Sequence, residues 1–165
     1  VFAGAFYALV DAESAGVVVG ASHLPELRRA GMAIREAIEA ACPVVHPTLS
    51  GIHGLAGTVF TGPAADAADM RHVTVFADGA IDRSPGESAA AAVLTVIDAM
   101  GFLDDDRAFV HEGLIGTRVH GRVGRRLELA GRPAVVPVID GAAWITGDHT
   151  FVFDETDPLK EGFQL

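Results

Sequence analysis

The stretch Ser88-Ala-Ala-Ala-Ala-Val-Leu-Thr-Val-Ile-Asp-Ala-Met100 decides the fold. Its only charge is Asp98, near the end, and no polar stripe runs along it. A helix that is apolar all round must be enclosed on every side. Most other segments of this chain read as strands, so the enclosure is a curved sheet, and the run of four alanines lets strands approach closely. The expected fold is therefore α+β: a barrel-like, mostly antiparallel sheet wrapped around one central apolar helix.

Outward from that helix, the preceding residues Ile81-Asp82-Arg83-Ser84-Pro85-Gly86-Glu87 form a polar turn. A helix start offers free N–H groups and the positive end of a dipole, which favour an anion or a catalytic group. Upstream, Phe6–Ala12 reads as a buried strand and Gly16–Gly20 as a second short one. In "SHLPELRRAGMAIREAIEAACP", apolar residues at Leu24, Leu27, Ile34, Ile38 and Ala41 predict an amphipathic helix on the outside of the sheet. Ser22 is placed to cap it and Pro43 to end it. "GLAGTVFTG" and "HVTVFADG" read as strands joined by a small-residue loop. Beyond the central helix, "FVHEGLIGTRVHGRVGR" has strand character broken by glycines. "PAVVPVIDGAAWITGDHTFVFD" reads as two or three further strands, before a polar tail.

Composition bounds the function. The 165 residues are 50% hydrophobic and 21% charged, enough for one domain with a substantial core. A net charge of −10 argues against nucleic acid, which needs clustered Lys and Arg. The one basic cluster, Arg122, Arg125 and Arg126, reads as a solvated strand edge. No apolar run is long enough to span a bilayer and no signal peptide is visible, so a cytoplasmic setting is expected. The chain opens at Val1 without an initiator Met and reads as an excerpt. Its single Cys, Cys42, excludes an internal disulfide and a cysteine metal cage. It follows a helix and precedes Pro43, and is expected to be a buried structural residue.

The segments "FYALVDAE", "VFTGP", "HVTVFADGAIDRSP", "FVHEGLIGTRVHGRV" and "PAVVPVIDGAAWITGDHTFVFDETDPLKEGF" together resemble the C-terminal half of the proline racemase family. That family includes 4-hydroxyproline 2-epimerases and trans-3-hydroxyproline dehydratases. The resemblance covers essentially residues 1–165 and implies a diaminopimelate-epimerase-like fold, in which two similar lobes each wrap a sheet around a central helix. The tail 154–165 would then pack on the missing lobe. The resemblance also implies cofactor-independent chemistry on proline or hydroxyproline. One cysteine from each lobe, thiolate and thiol, exchanges the Cα proton across the two faces, while the substrate carboxylate rests on the central helix N-termini.

Family members carry a motif like Asp-Arg-Ser-Pro-Cys-Gly-Thr-Gly-Thr, with Thr often replacing Cys in dehydratases. This chain reads Asp82-Arg83-Ser84-Pro85-Gly86-Glu87-Ser88, about three residues shorter, and the cysteine is missing. The first-lobe motif is absent with its lobe. No catalytic residue is therefore assigned. By the resemblance, Asp82 contacts the substrate ring nitrogen, Phe76 lines the proline pocket, and Gly86 is what remains of the carboxylate cradle.

The same residues have simpler readings. Asp82 and Arg83 can form a turn with a local ion pair. Glu87, in the first helical turn, is stabilised there by about 0.3–1 kcal/mol; it serves as a built-in anion cap or as a replacement base. The histidines at 23, 46, 53, 72, 111, 120 and 149 show no paired metal spacing, and no metal is expected. His46 and His53 read as a loop pair, and His149 as a structural hydrogen-bonding residue. Asp104–Asp106 reads as a solvated turn. "GLAGTVFTG" lacks the strand–helix context of a dinucleotide loop. Loss of a lobe would expose an apolar face, so a homodimer or poor solubility is expected.

Overall fold

Six strands lie side by side in chain order in the computed structural model, which describes residues 1–65, 67–104 and 107–162. They are β1 (Phe6–Asp11), β2 (Leu55–Gly62), β3 (Met70–Phe76), β4 (Phe109–Glu112), β5 (Arg118–Leu129) and β6 (Arg132–Asp140). The β1/β2 and β3/β4 pairs are parallel, and the other three pairs are antiparallel. Each parallel pair needs a crossover, and a helix supplies it. Helix α1 (Leu24–Ala41) connects β1 to β2, and helix α2 (Glu87–Ala99) connects β3 to β4.

The helices occupy opposite faces of the sheet. α2 meets β1 at one edge and both β5 and β6 toward the other, which requires the sheet to curl around it. Ala89, Ala90, Ala92, Val93 and Leu94 are buried, and Thr95 to Asp98 are half-covered. Helix α1 lies outside, against β2 and β3. Strand alternation divides the core: Val59 packs with Tyr7, Ala89 and Val93 beneath α2, whereas Phe60, Val73 and Val75 pack with Leu27 beneath α1. With both faces covered, β2 is buried without a break from Gly57 to Phe60, Thr58 included, whose hydroxyl donates to the Gly31 carbonyl. Contact with α1 is so close that a Cβ on Gly31 would lie 2.7 Å from the Cβ of Val75.

The α+β expectation therefore holds, with an apolar central helix inside a curled mixed sheet and an amphipathic helix outside. Four local readings need correction. Residues 16–20 form no strand, because Val19 turns inward to the core beside Gly62 instead of pairing. Ser22 does not cap α1: a single 3-10 turn, Ala21–His23, precedes the helix, and its cap makes no side-chain hydrogen bond. After β6, residues 141–153 form no strand and pair with none, and Trp144, Ile145, Phe151 and Phe153 stand exposed. Cys42 is also exposed, with its thiol directed at the Ile38 carbonyl 3.5 Å away. No helix among the described residues is long and apolar enough to cross a membrane.

Candidate functional site

The polar turn before α2 is held by a short ladder with β3. After Phe76 the chain reverses through residues 77–80, with the Phe76 N–H donating to the Ala80 carbonyl at 2.8 Å. Val75 and Ile81 pair in an antiparallel bridge, and the Asp82 N–H donates to the Thr74 carbonyl. The Asp82 carboxylate completes the clamp by accepting the Thr74 N–H at 2.9 Å. Its partner is thus the backbone of Thr74, while Arg83 is exposed. Burial raises the Asp82 carboxyl above the ordinary carboxylate value, and the hydrogen bond from Thr74 only partly opposes this.

Gly86 is the N-cap residue of α2, with φ of 60°. A side chain there would be strained by that backbone, and its Cβ would come 3.1 Å from Asp82 Oδ2. No side chain caps α2, and its first helical bond runs from the Ala90 N–H to the Gly86 carbonyl. The N–H groups of the first turn consequently lack intrahelical partners. Within one turn the chain presents a carboxylate acceptor, Asp82, and the positive end of a largely buried helix. Phe76 shares the α2-facing side of β3 with Thr74 by alternation, so it belongs to the same end of the site. Glu87 is exposed on the first helical turn.

A second turn buttresses the first. Residues 113–117 fold tightly, with the Gly113 N–H donating to the Thr117 carbonyl at 2.8 Å. A Cβ on Gly113 would lie 2.8 Å from both Cδ and N of Pro85 and 2.9 Å from the Ser84 carbonyl carbon. Only glycine permits that contact.

Beside this junction lie two groups that the sequence reading missed. His72 on β3 and His111 on β4 are fully buried, edge to face, with ring centroids 5.2 Å apart. None of their four ring nitrogens has a hydrogen-bond partner. Burial lowers the His72 pKa to about 4. Burial, with His72 adding repulsion, lowers that of His111 to about 3. Both rings are neutral near pH 7 and serve the core. Each has one charged neighbour, Arg71 before His72 and Glu112 after His111, so the local sequence carried no signal of their burial. On the other face, buried Glu112 accepts hydrogen bonds from Arg71, the Ala65 N–H and Arg118. Burial alone would raise the Glu112 carboxyl, but these donors hold it below the usual range.

The remaining candidates lie elsewhere. Cys42 is at the far end of α1 from Arg28, whose Nε donates to the Gly79 carbonyl, and so about 20 Å of helix separates the thiol from the turn. His46 is buried and accepts the Leu49 N–H at Nδ1, a loop-closing role, while His53 pairs with Val45. His149 is exposed, with its ring 6.3 Å from that of Phe151, and makes no hydrogen bond. Asp104 lies 3.7 Å from Arg107 in an exposed ion pair; Asp105, Asp106 and residues 163–165 of the tail lie outside the described residues.

Comparison with known proteins places this geometry. The sequence profile of the proline racemase family matches residues 1–164. A 4-hydroxyproline 2-epimerase from Streptosporangium roseum is 40% identical over 164 residues, covering 99% of this chain and 49% of the relative. A trans-3-hydroxy-L-proline dehydratase from Bacillus thuringiensis is also 40% identical, again covering 99% of this chain and 49% of its own length. The crystal structure of a hydroxyproline epimerase from Agrobacterium vitis, with bound trans-4-hydroxy-L-proline, superimposes with a TM-score of 0.83 at 33% identity. It covers 99% of this chain and 47% of that protein. The chain thus spans about half the length of the relatives it matches.

Proposed function

The chain belongs to the proline racemase family, and from that premise we propose that residues 1–165 form one lobe of a cofactor-independent racemase or epimerase acting on proline or hydroxyproline. Inverting Cα requires an acid/base group on each face of the carbon. In this reading the lobe supplies the wall against which the ring is held. Asp82 receives the ring nitrogen, Phe76 packs on the ring, and Gly86 with the α2 start meets the carboxylate. The tail 154–165 reaches toward the other lobe.

The observation that carries this reading is the half-buried Asp82 carboxyl, fixed by Thr74 and set against a positive-φ glycine at the start of the enclosed helix. A carboxylate held there can accept the N–H of a secondary ammonium, and the helix end can face the substrate's own carboxylate. Proton transfer is the missing part. No cysteine follows Pro85, and the only thiol is on the far side of α1. The lobe alone is therefore inactive. A chiral assay with L-proline, D-proline and both 4-hydroxyproline epimers should show no interconversion; turnover by the isolated chain refutes this.

A dehydratase lobe is the second reading, favoured by the equal identity to the trans-3-hydroxy-L-proline dehydratase. Detection of a cyclic imine from trans-3-hydroxy-L-proline, once a first lobe is supplied, would select it. The shortened motif favours a third, a non-catalytic binding module. Calorimetry with pyrrole-2-carboxylate separates this from the other two: heat that Asp82→Ala abolishes supports a substrate wall, and no heat even with a first lobe supports the module.

A further inference from the structure

Asp82 is gripped twice over by a single residue. The Thr74 N–H donates to Asp82 Oδ1 at 2.9 Å, and the Thr74 carbonyl accepts the Asp82 N–H at 3.2 Å. The other oxygen, Oδ2, lies 3.1 Å from where a Cβ on Gly86 would stand, at the start of α2. The carboxylate is thus anchored through Oδ1, while Oδ2 is turned to the helix end. Hydrogen bonding is what opposes burial here: the Thr74 N–H, the Thr74 side chain and the N–H of Asp82 itself all favour the ionised form.

The side chain of Thr74 is not explained by packing. It is 1% exposed on the α2-facing side of β3, and its hydroxyl makes no close hydrogen bond. Thr58, as deeply buried on the adjoining strand β2, has such a bond, donating to the Gly31 carbonyl at 2.8 Å. A buried hydroxyl left without a partner destabilises a fold, and valine would fill the same space without one. The backbone bond to Oδ1 does not require threonine either, because any residue but proline brings an N–H. What threonine adds at this position is the hydroxyl, and Asp82 is the acid it acts on.

We infer that Thr74 is a positioning residue, whose hydroxyl turns about the Cα–Cβ bond to donate to the Asp82 carboxylate and so fixes it as an anion facing the start of α2. Such bonds are often long in a site without substrate and tighten when one arrives. The inference rests on the reading of Asp82 as acceptor for a ring nitrogen: a secondary ammonium pairs with a carboxylate, and a protonated Asp82 offers it no charge.

The amide proton of residue 74 reports on Asp82 directly, because the carboxylate that accepts it changes on protonation. Its chemical shift is followed by NMR on the full chain, from about pH 8 downward for as long as amide dispersion shows a folded protein. Asp82→Asn should abolish the resulting curve, which fixes its assignment. Thr74→Val should move the curve to higher pH by at least about half a pH unit, since a donor to the ionised form is lost. Thr74→Ser, which keeps the hydroxyl, should return it to the native position. If Thr74→Val fails to fold, Thr74→Ala makes the same comparison. A hydroxyl that only fills space predicts an unmoved curve. A Thr74→Val or Thr74→Ala curve that overlays the native one therefore overturns the inference, as does a Thr74→Ser curve displaced as far, or a curve that survives Asp82→Asn. Calorimetry with L-proline judges the ring-nitrogen role separately. Absence of heat counts against that role and leaves a moved curve standing, whereas an unmoved curve overturns the role of Thr74 even where L-proline binds.

Discussion

Acidification should unfold this protein well before its carboxylates titrate, because of the two buried imidazoles. His72 and His111 have pKa values of about 4 and about 3 in the fold, against an ordinary value of 6.5. A depressed histidine pKa means that the unfolded chain binds protons that the folded one refuses. The stability is therefore complete above about pH 6.5 and is lost as pH falls toward the folded values. At about pH 5 the unfolded side chains are almost fully protonated and the folded ones almost fully neutral. Each histidine then costs about 2 kcal/mol relative to about pH 8, or about 4 kcal/mol for the pair, with a limiting slope of about 1.4 kcal/mol per pH unit for each. Because both folded values lie well below pH 5, this figure depends little on where they lie. Asp69 draws His111 slightly upward and His120 pushes it down, but burial dominates. Urea unfolding midpoints between about pH 8 and about pH 5 measure the effect. His72→Leu and His111→Leu should each halve the slope, and the double variant should flatten it, leaving the other histidines as the internal control. A flat profile in the native protein, or an unchanged slope in the double variant, would refute the assignment of both rings as buried and unpaired.

Two further perturbations probe the frame around the turn. Gly113→Val places atoms where Pro85 and Ser84 already sit, and should destabilise by about 1–3 kcal/mol in urea. Its amide shifts should concentrate at residues 82–86; shifts spread evenly over the sheet would count against a specific buttress. Leu94→Ala removes a fully buried side chain from the central helix and should cost about 2–5 kcal/mol, measured by thermal or denaturant unfolding. A loss below about 1 kcal/mol would mean that α2 is not enclosed.

The central helix was legible because its composition leaves only one solution: no face of Ser88–Met100 can meet water, so strands must surround it. The outer helix was legible from the opposite property, a clear wet face. Asp82, Phe76 and Gly86 were singled out by resemblance alone, and the structure places them at one end of β3 and α2. What escaped was set by tertiary contact. Nothing local distinguishes His72 and His111 from exposed strand histidines until the parallel β3/β4 pairing, which sets His111 opposite Met70, brings the two rings together diagonally. Val17 and Val19 have strand propensity, but their segment pairs with no strand and Val19 turns into the core instead. The reading of 141–153 as strand failed too: strand-like composition does not by itself make a strand, and this stretch pairs with no part of the sheet. Cys42 follows the last turn of an amphipathic helix, and its burial depended on the angle at which the chain departs.

The most direct test of the account is hydrogen exchange at the substrate's Cα. The folded chain, verified by a dispersed amide spectrum, is incubated in deuterated buffer with L-proline or trans-4-hydroxy-L-proline, and the Cα signal is followed by NMR. Without a cysteine at the Asp82–Gly86 turn, no deuterium should enter above the buffer control with either imino acid. Deuterium incorporation that depends on the chain would contradict the claim that this lobe keeps the substrate wall but has lost the group that moves the proton.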